Sequence, residues 1–378
     1  MEEIFIGTTD RFGYYQVGHQ KIYSKYDAIK LHEKTGIHPE WHFHDEVFSC
    51  YDWRQEPTES LTELYRRRAE QLREKYDYIV LFFSGGADST TVLDSFINNN
   101  IHLDEIVSFH HYLGNQNRFT HTDAEVTNVA IPRAQRALER SPNTKFSLID
   151  LSTYIYDFYK SNRNIDYYLQ NMITINGRPD TVKYKAYELE PTFLDLIHSG
   201  RRVCFLTGQD KPRIHKVGNK WTFKFIDVLT VCNGGANTPV EYFYWSADLP
   251  ELIIKQAHTV KRYLELADAS TPFVTTKPKG GNCSKEHNGQ TLYLTNHGVH
   301  SLIYPTWDIE TFTVAKAVSL IYGEKTKWMQ FDQLDPVSVI WRKIIDSWWK
   351  SVPDYWKNDP TDIHKGIKGM WSKSYELN

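Results

Sequence analysis

The sequence predicts an α/β fold: a mostly parallel sheet with helices on both faces, plus a small N-terminal unit and a C-terminal extension. Three observations predict it. Strand-forming runs alternate with helical patterns between residues 57 and 250. Tyr78 to Phe83 is an unbroken apolar run, the pattern of a strand covered on both faces. Ser84-Gly85-Gly86 ends that run and Ala87 onwards suits a helix, so a glycine-rich strand-to-helix turn stands in mid-sheet.

Composition sets the outer bounds. The 378 residues suffice for a sizeable core and more than one domain. Forty-four Lys and Arg against forty-seven Asp and Glu leave a net charge of −3, which gives no general reason to expect a duplex nucleic-acid partner. Mean hydropathy of −0.54 fits a soluble chain, and the 14% aromatic content points to thick aromatic packing. Cys50, Cys204, Cys232 and Cys283 form no CxxC pair, which argues against a zinc ribbon, clustered iron–sulfur ligation or a dithiol centre. With no signal-like leader and no run of 18 apolar residues, a cytoplasmic protein without a membrane span is expected.

In chain order, residues 1–56 read as the small N-terminal unit. It has short strands at 4–6 and 14–17, a helix from Tyr26 to Lys34, and an aromatic edge strand or loop at 41–48. His42 and His44 share a strand face there, but two histidines without a third ligand are weak evidence for a metal. A helix opens at Pro57-Thr58 and runs to about Lys75, with Leu61, Leu64, Tyr65, Arg68 and Leu72 at helical spacing. Arg66-Arg67-Arg68 reads as a solvated face. Then come the 78–83 strand, a helix from Asp88 to Asn98, a strand at 105–110, a polar loop, and a helix from Asp123 to Arg140. A strand at 145–150, a Tyr- and Asn-rich stretch at 154–195 and a strand at 203–206 complete the alternation. Residues 57–250 are thus the α/β domain, and 251–378 a mainly helical region with helices at 250–266, 312–322 and 337–347. Thr275 to Gln290 reads as a long loop, and 348–378 shows no clear period.

The chemistry concentrates at Ser84 to Ser89. Its glycines permit close backbone approach, its backbone N–H groups and the hydroxyls of Ser84 and Ser89 can face an anion, and the positive helix end lies behind them. Asp88 would repel bare phosphate, so it either holds Mg²⁺ or caps the turn. The run is neither a GxxxxGK[ST] loop nor a GxGxxG fingerprint.

Ser84-Gly85-Gly86-Ala87-Asp88-Ser89, following an apolar strand, resembles the SGGxDS signature of the PP-loop ATP pyrophosphatase superfamily, with its adenine-nucleotide alpha-hydrolase-like fold. The superfamily includes asparagine synthetase, NAD and GMP synthetases and the PAPS reductases, and the resemblance covers roughly residues 60–250. It implies that ATP is cleaved between its α- and β-phosphates, that AMP passes to a substrate carboxyl or carbonyl oxygen, and that pyrophosphate leaves. It further implies nucleotide contacts from Ser84, Gly85, Gly86, Asp88, Ser89 and Thr90, with Phe109 near the adenine. The loop Thr207-Gly208-Gln209-Asp210 would face the same ligand through Gly208 and Gln209. Asp88 and Asp210 would hold Mg²⁺, and Asp88, Lys211 and Arg213 are the candidate catalytic residues. Asp123 and Glu125 are weaker candidates for shaping the acceptor site, against ordinary helix capping.

Departures from the named relatives narrow the expectation. Glu2 follows Met1, so the N-terminal catalytic cysteine of glutamine-using asparagine synthetases is absent, and ammonia or an amine would come from solution or a partner protein. Cys283 in Gly-Asn-Cys-Ser is only a loose echo of the PAPS reductase cysteine. The leading expectation is an AMP-forming ligase acting on a small-molecule or nucleobase-like acceptor. The alternatives are a PAPS reductase-like or sulfur-transfer enzyme, and a non-catalytic nucleotide-binding or nucleic-acid-associated protein. Tyr242, Tyr244, Trp245, Asp248, Lys255, His258, Tyr304, Pro305, Trp307, Asp308 and Lys316 are candidates for the acceptor pocket, with core and surface roles weighed beside them.

Overall fold

A short antiparallel sheet comes first, with β1 (Tyr14–Val17) between β2 (Gln20–Ile22) and β3 (Glu40–His42). Helix α1 (Lys25–Thr35) is capped by the Ser24 hydroxyl and closed by Gly36 at φ 72°, and one turn of helix, α2 (Asp45–Phe48), follows β3. The structure, a computed structural model, describes residues 10, 13–110, 126–150, 191–208, 211–227, 240–266, 273–275, 283–307, 336–363 and 366–378. The strand expected at 4–6, the helix expected at 312–322 and nearly all of the 154–195 stretch lie outside them.

The central layer follows. Helix α3 (Leu61–Lys75) begins one turn later than Pro57-Thr58 suggests, because Ser60 and Glu63 form a reciprocal capping box. Next come β4 (Tyr78–Phe82), α4 (Ala87–Ile97), β5 (Glu105–His110), a π-turn at Val126–Ala130 running into α5 (Ile131–Arg140), and β6 (Lys145–Asp150). After α6 (Pro191–His198) come β7 (Val203–Thr207), the antiparallel pair β8 (Ile214–Val217) and β9 (Lys220–Phe223), and β10 (Val240–Tyr242). Strands β10-β7-β4-β5-β6 form one wholly parallel sheet in that order. Ile79, Val80 and Leu81 are fully buried, as their apolar run requires.

The strand order reverses at the β4–β7 neighbours: the chain leaves β4 toward β5 and β6, then returns to β7 and β10. Connections from adjacent strands then diverge and leave a crevice at their carboxyl ends. The 84–89 turn and the Thr207-Gly208 turn both open there.

The C-terminal region carries strands beside its helices. Helices α7 (Pro250–Leu266), α8 (Asn296–Ile303) and α9 (Pro336–Ser351) are present. However, β11 (Phe273–Val274), β12 (Cys283–His287), β13 (Gln290–Leu294) and β14 (Tyr375–Glu376) join β8 and β9 in a six-stranded mixed sheet. Of the stretch expected as a loop from Thr275 to Gln290, residues 276–282 lie outside the described ones, and Cys283–His287 is instead the first arm of the β12–β13 hairpin. Asn288 (φ 49°) and Gly289 (φ 76°) supply the two left-handed positions of its two-residue turn.

Aromatic rings bind the N-terminal sheet to this second sheet. Phe43 and Phe48 stand 4.9 and 4.6 Å from Phe225, and Trp53 stacks on Phe223 at 4.8 Å and on Tyr375 at 4.5 Å. Asp227, fully buried, accepts from Tyr15 and Met370 N and pairs with the buried Lys25 at 2.8 Å. Arg68 corrects the solvated-face reading: it is fully buried, with Glu241 at 3.2 Å and Tyr242 O at 3.1 Å. Among the described residues no helix is long and apolar enough to cross a membrane.

Candidate functional site

Gly85 enters the turn at φ 74°, in the left-handed region, and a Cβ there would lie 2.8 Å from Ala130 N and Cα. The loop therefore packs directly on the start of α5. Gly86 is the N-cap residue of α4 with no side-chain cap, so it leaves the helix's first N–H groups without a competing side-chain acceptor at that position. The exposed Ser84 presents Oγ 3.3 Å from both Gly86 N and Ser89 Oγ, and Thr90 Oγ1 lies 3.4 Å from Gly85 O. Arg133 Nη1, on α5, donates to Gly85 O and also bonds Thr90 Oγ1 at 3.2 Å.

Asp88, in the first turn of α4, gathers groups from three distant parts of the chain. Lys211 Nζ pairs with Oδ2 at 3.0 Å, the Tyr304 hydroxyl donates to Oδ1, and His300 Nε2 lies 3.9 Å from Oδ1. The Tyr244 hydroxyl donates to the Asp88 backbone carbonyl at 2.7 Å. Burial pushes the Asp88 carboxyl up, yet Lys211, His300 and the Tyr304 bond outweigh it and hold the acid below the ordinary 3.8. Burial and the facing carboxylate raise Tyr304 well above a normal phenol, so it stays a donor. Gly208 explains how β7 comes so close: a Cβ there would meet Val92 Cγ2 at 2.9 Å and Asp88 O at 3.1 Å.

Ser84, Gly85, Gly86, Asp88, Ser89, Thr90, Gly208 and Lys211 are thus brought together. Phe109 packs edge-on to Phe82 at 5.1 Å, one strand over on β5. Arg213 is placed elsewhere, its guanidinium 6.0 Å over the ring of Trp371, which makes an isolated bridge to Ile226. Gln209 and Asp210 lie outside the described residues, as do Asp123, Glu125, Asp308 and Lys316. Among the described residues no three His, Cys, Asp or Glu side chains cluster as a metal site, and His42 Nδ1 is 2.8 Å from Asp45.

Of the acceptor-pocket candidates, Tyr244 and Tyr304 meet Asp88 itself. Lys255 and His258 are instead bonded to the N-terminal unit, Lys255 to Glu56 at 2.7 Å and His258 to Trp53 O at 2.8 Å. Cys283 is fully buried and donates to Pro212 O at 3.3 Å, the setting of an unreactive thiol. Sequence reasoning missed Arg133 and His300, because each reaches the site only through tertiary packing. No local sequence signal marks either one.

No family model matches the chain, and no curated protein matches it. Solved structures that it resembles include the NH3-dependent NAD synthetase of Campylobacter jejuni in complex with the nitrate ion, at 13% identity and TM-score 0.27 over 40% of this chain and 58% of that one. An NMN synthetase from Francisella tularensis aligns at 12% identity and TM-score 0.26, over 40% and 56% of the respective chains. An NAD+ synthetase from Burkholderia pseudomallei aligns at 13% and 0.27, over 75% and 94%. The match spans less than two thirds of the first two proteins, and likenesses at these TM-scores carry no functional weight. The observed architecture is the α/β fold the sequence predicts, with the Ser84–Ser89 turn seated between the central strand of a parallel sheet and the helix that follows it.

Proposed function

We propose that the chain uses ATP to adenylate a carboxylate or carbonyl on a small or nucleobase-like molecule and then joins the activated carbon to nitrogen. The substrate oxygen attacks the α-phosphorus, the α–β bridging bond breaks and pyrophosphate leaves. Ammonia or an amine then attacks the activated carbon, and AMP departs with the transferred oxygen.

The observation that carries this reading is the Asp88–Lys211 pair, 3.0 Å apart beside the SGGADS turn at the reversal point of the sheet. The turn supplies what a leaving pyrophosphate requires: the Gly86 N–H, the Ser84 and Ser89 hydroxyls, the positive end of α4 and a lysine. Lys211 is within reach of both the carboxylate and an incoming polyphosphate, and would neutralise charge as the α–β bond breaks. Asp88, ionised and with a side chain 29% exposed, fits the donor set of Mg²⁺, which takes one or two carboxylates and fills its other positions with phosphate and water. Asp88, with Asp210, would hold the ion, which when bound would screen the polyphosphate charge. The Tyr304 hydroxyl, donating to Oδ1, orients the Asp88 carboxylate, and His300 Nε2 lies 3.9 Å from the same oxygen.

The test is to incubate the protein with Mg-ATP and pooled carboxylate, amine and nucleobase metabolites, following AMP, pyrophosphate and new masses. AMP and pyrophosphate should appear in equal amounts with an amide-type product, and Asp88→Asn should abolish them. Undiminished ATP cleavage by that variant would remove Asp88 from the metal site, and release of ADP instead of AMP would overturn the reaction class.

A further inference from the structure

Arg133 belongs to no motif, yet it bonds the one carbonyl on which the anion-facing geometry of the turn depends. Its Nη1 donates to Gly85 O and bonds Thr90 Oγ1 at 3.2 Å, while Thr90 Oγ1 itself lies 3.4 Å from that carbonyl. In a trans peptide the C=O and N–H point in opposite directions. With Gly85 O turned toward α5, the Gly86 N–H of the same peptide must point the other way. It lies 3.3 Å from Oγ of the exposed Ser84, on the open side of the turn. Glycines on both sides leave this peptide unusually free to rotate, and a flip would put a carbonyl where an anion needs a donor. The π-turn at Val126–Ala130 sets α5 against Gly85 so that Arg133, one turn on, can reach it.

We infer that Arg133 is a positioning residue: by holding the Gly85 carbonyl inward, it keeps the Gly86 N–H presented to the terminal phosphates of a bound nucleotide. This rests on the reading of Ser84–Ser89 as a polyphosphate cradle. The ligand class is a magnesium-bound di- or triphosphate, and the guanidinium acts on it through the peptide.

The experiment titrates the full chain, Arg133→Met and Arg133→Lys with Mg-pyrophosphate and with Mg-ATP by calorimetry, and records the thermal midpoint of each protein. Arg133→Met should weaken both ligands about tenfold or more, the usual consequence of losing a charge-assisted hydrogen bond. Arg133→Lys, which keeps a cationic donor, should recover most of the affinity. Unchanged affinity in Arg133→Met, or equal losses in both variants, would overturn the inference. If the unaltered protein binds neither ligand, the cradle reading fails first and the inference falls with it.

Discussion

The Tyr304 hydroxyl donates to Asp88 Oδ1 across 216 positions of sequence, from the residue that closes α8 to the first turn of α4. A C-terminal element thus holds the charged group of the glycine turn.

Tyr304→Phe removes that donor while keeping the ring, and should cost about 2 kcal/mol at neutral pH. Asp88 is held below 3.8 in the folded chain, so the stability it contributes is present above the ordinary carboxylate range and lost as pH falls through its depressed value. The difference between the two proteins should therefore be largest at about pH 6–7 and shrink toward about pH 3. Urea unfolding across that range checks it, and a gap independent of pH would count against a role through the carboxylate.

Gly208→Ala places a methyl group 2.9 Å from Val92 Cγ2 and 3.1 Å from Asp88 O. The turn after β7 must then back away from α4, taking Lys211 with it. A loss of about 1–3 kcal/mol is expected, together with weaker Mg-ATP binding. Gly85→Ala should be at least as harmful, since its φ of 74° strains any side chain and Ala130 backbone lies 2.8 Å from the new atom.

Lys25→Met removes the cation paired with the fully buried Asp227, which also accepts from the Tyr15 hydroxyl and Met370 N. Removing one member of a buried pair typically costs about 3–5 kcal/mol, so this should rank among the most destabilising single changes in the chain. Chemical denaturation monitored by tryptophan fluorescence measures it.

Thiol labelling of the native protein followed by peptide mass mapping should modify the exposed Cys50 and spare the buried Cys204 and Cys283. Cys283→Ser should retain AMP formation. Loss of turnover in that variant, with folding intact, would revive a thiol-dependent reaction.

The central layer was legible because its signals are local. An apolar run such as Ile79-Val80-Leu81 has few alternatives to a buried strand, and Ser84-Gly85-Gly86 marks where it must end. The turn of the β12–β13 hairpin carries a local signal too, in Asn288-Gly289, but the polar and glycine-bearing residues around it read as loop. Arg68 was not legible. Its neighbours Arg66 and Arg67 are half-exposed, while its own partner Glu241 lies 173 positions away, and no charge pattern within a helix reveals such a pairing. The same limit hid His300 and Arg133, and it allowed Tyr244 and Tyr304 to be named without revealing that both close on Asp88.

Strand β9 pairs with β8 along one edge and with β14 along the other, and Leu377 N and the Asn378 side chain add bonds to Trp221. During synthesis on the ribosome, β8 and β9 emerge long before residues 375–378. Until those residues arrive, a row of unpaired backbone groups beside Trp221 and Phe223 is open to strangers. The nascent chain should therefore depend on a holdase through that interval, and released chains truncated before residue 371 should aggregate where chains that include residues 371–378 do not.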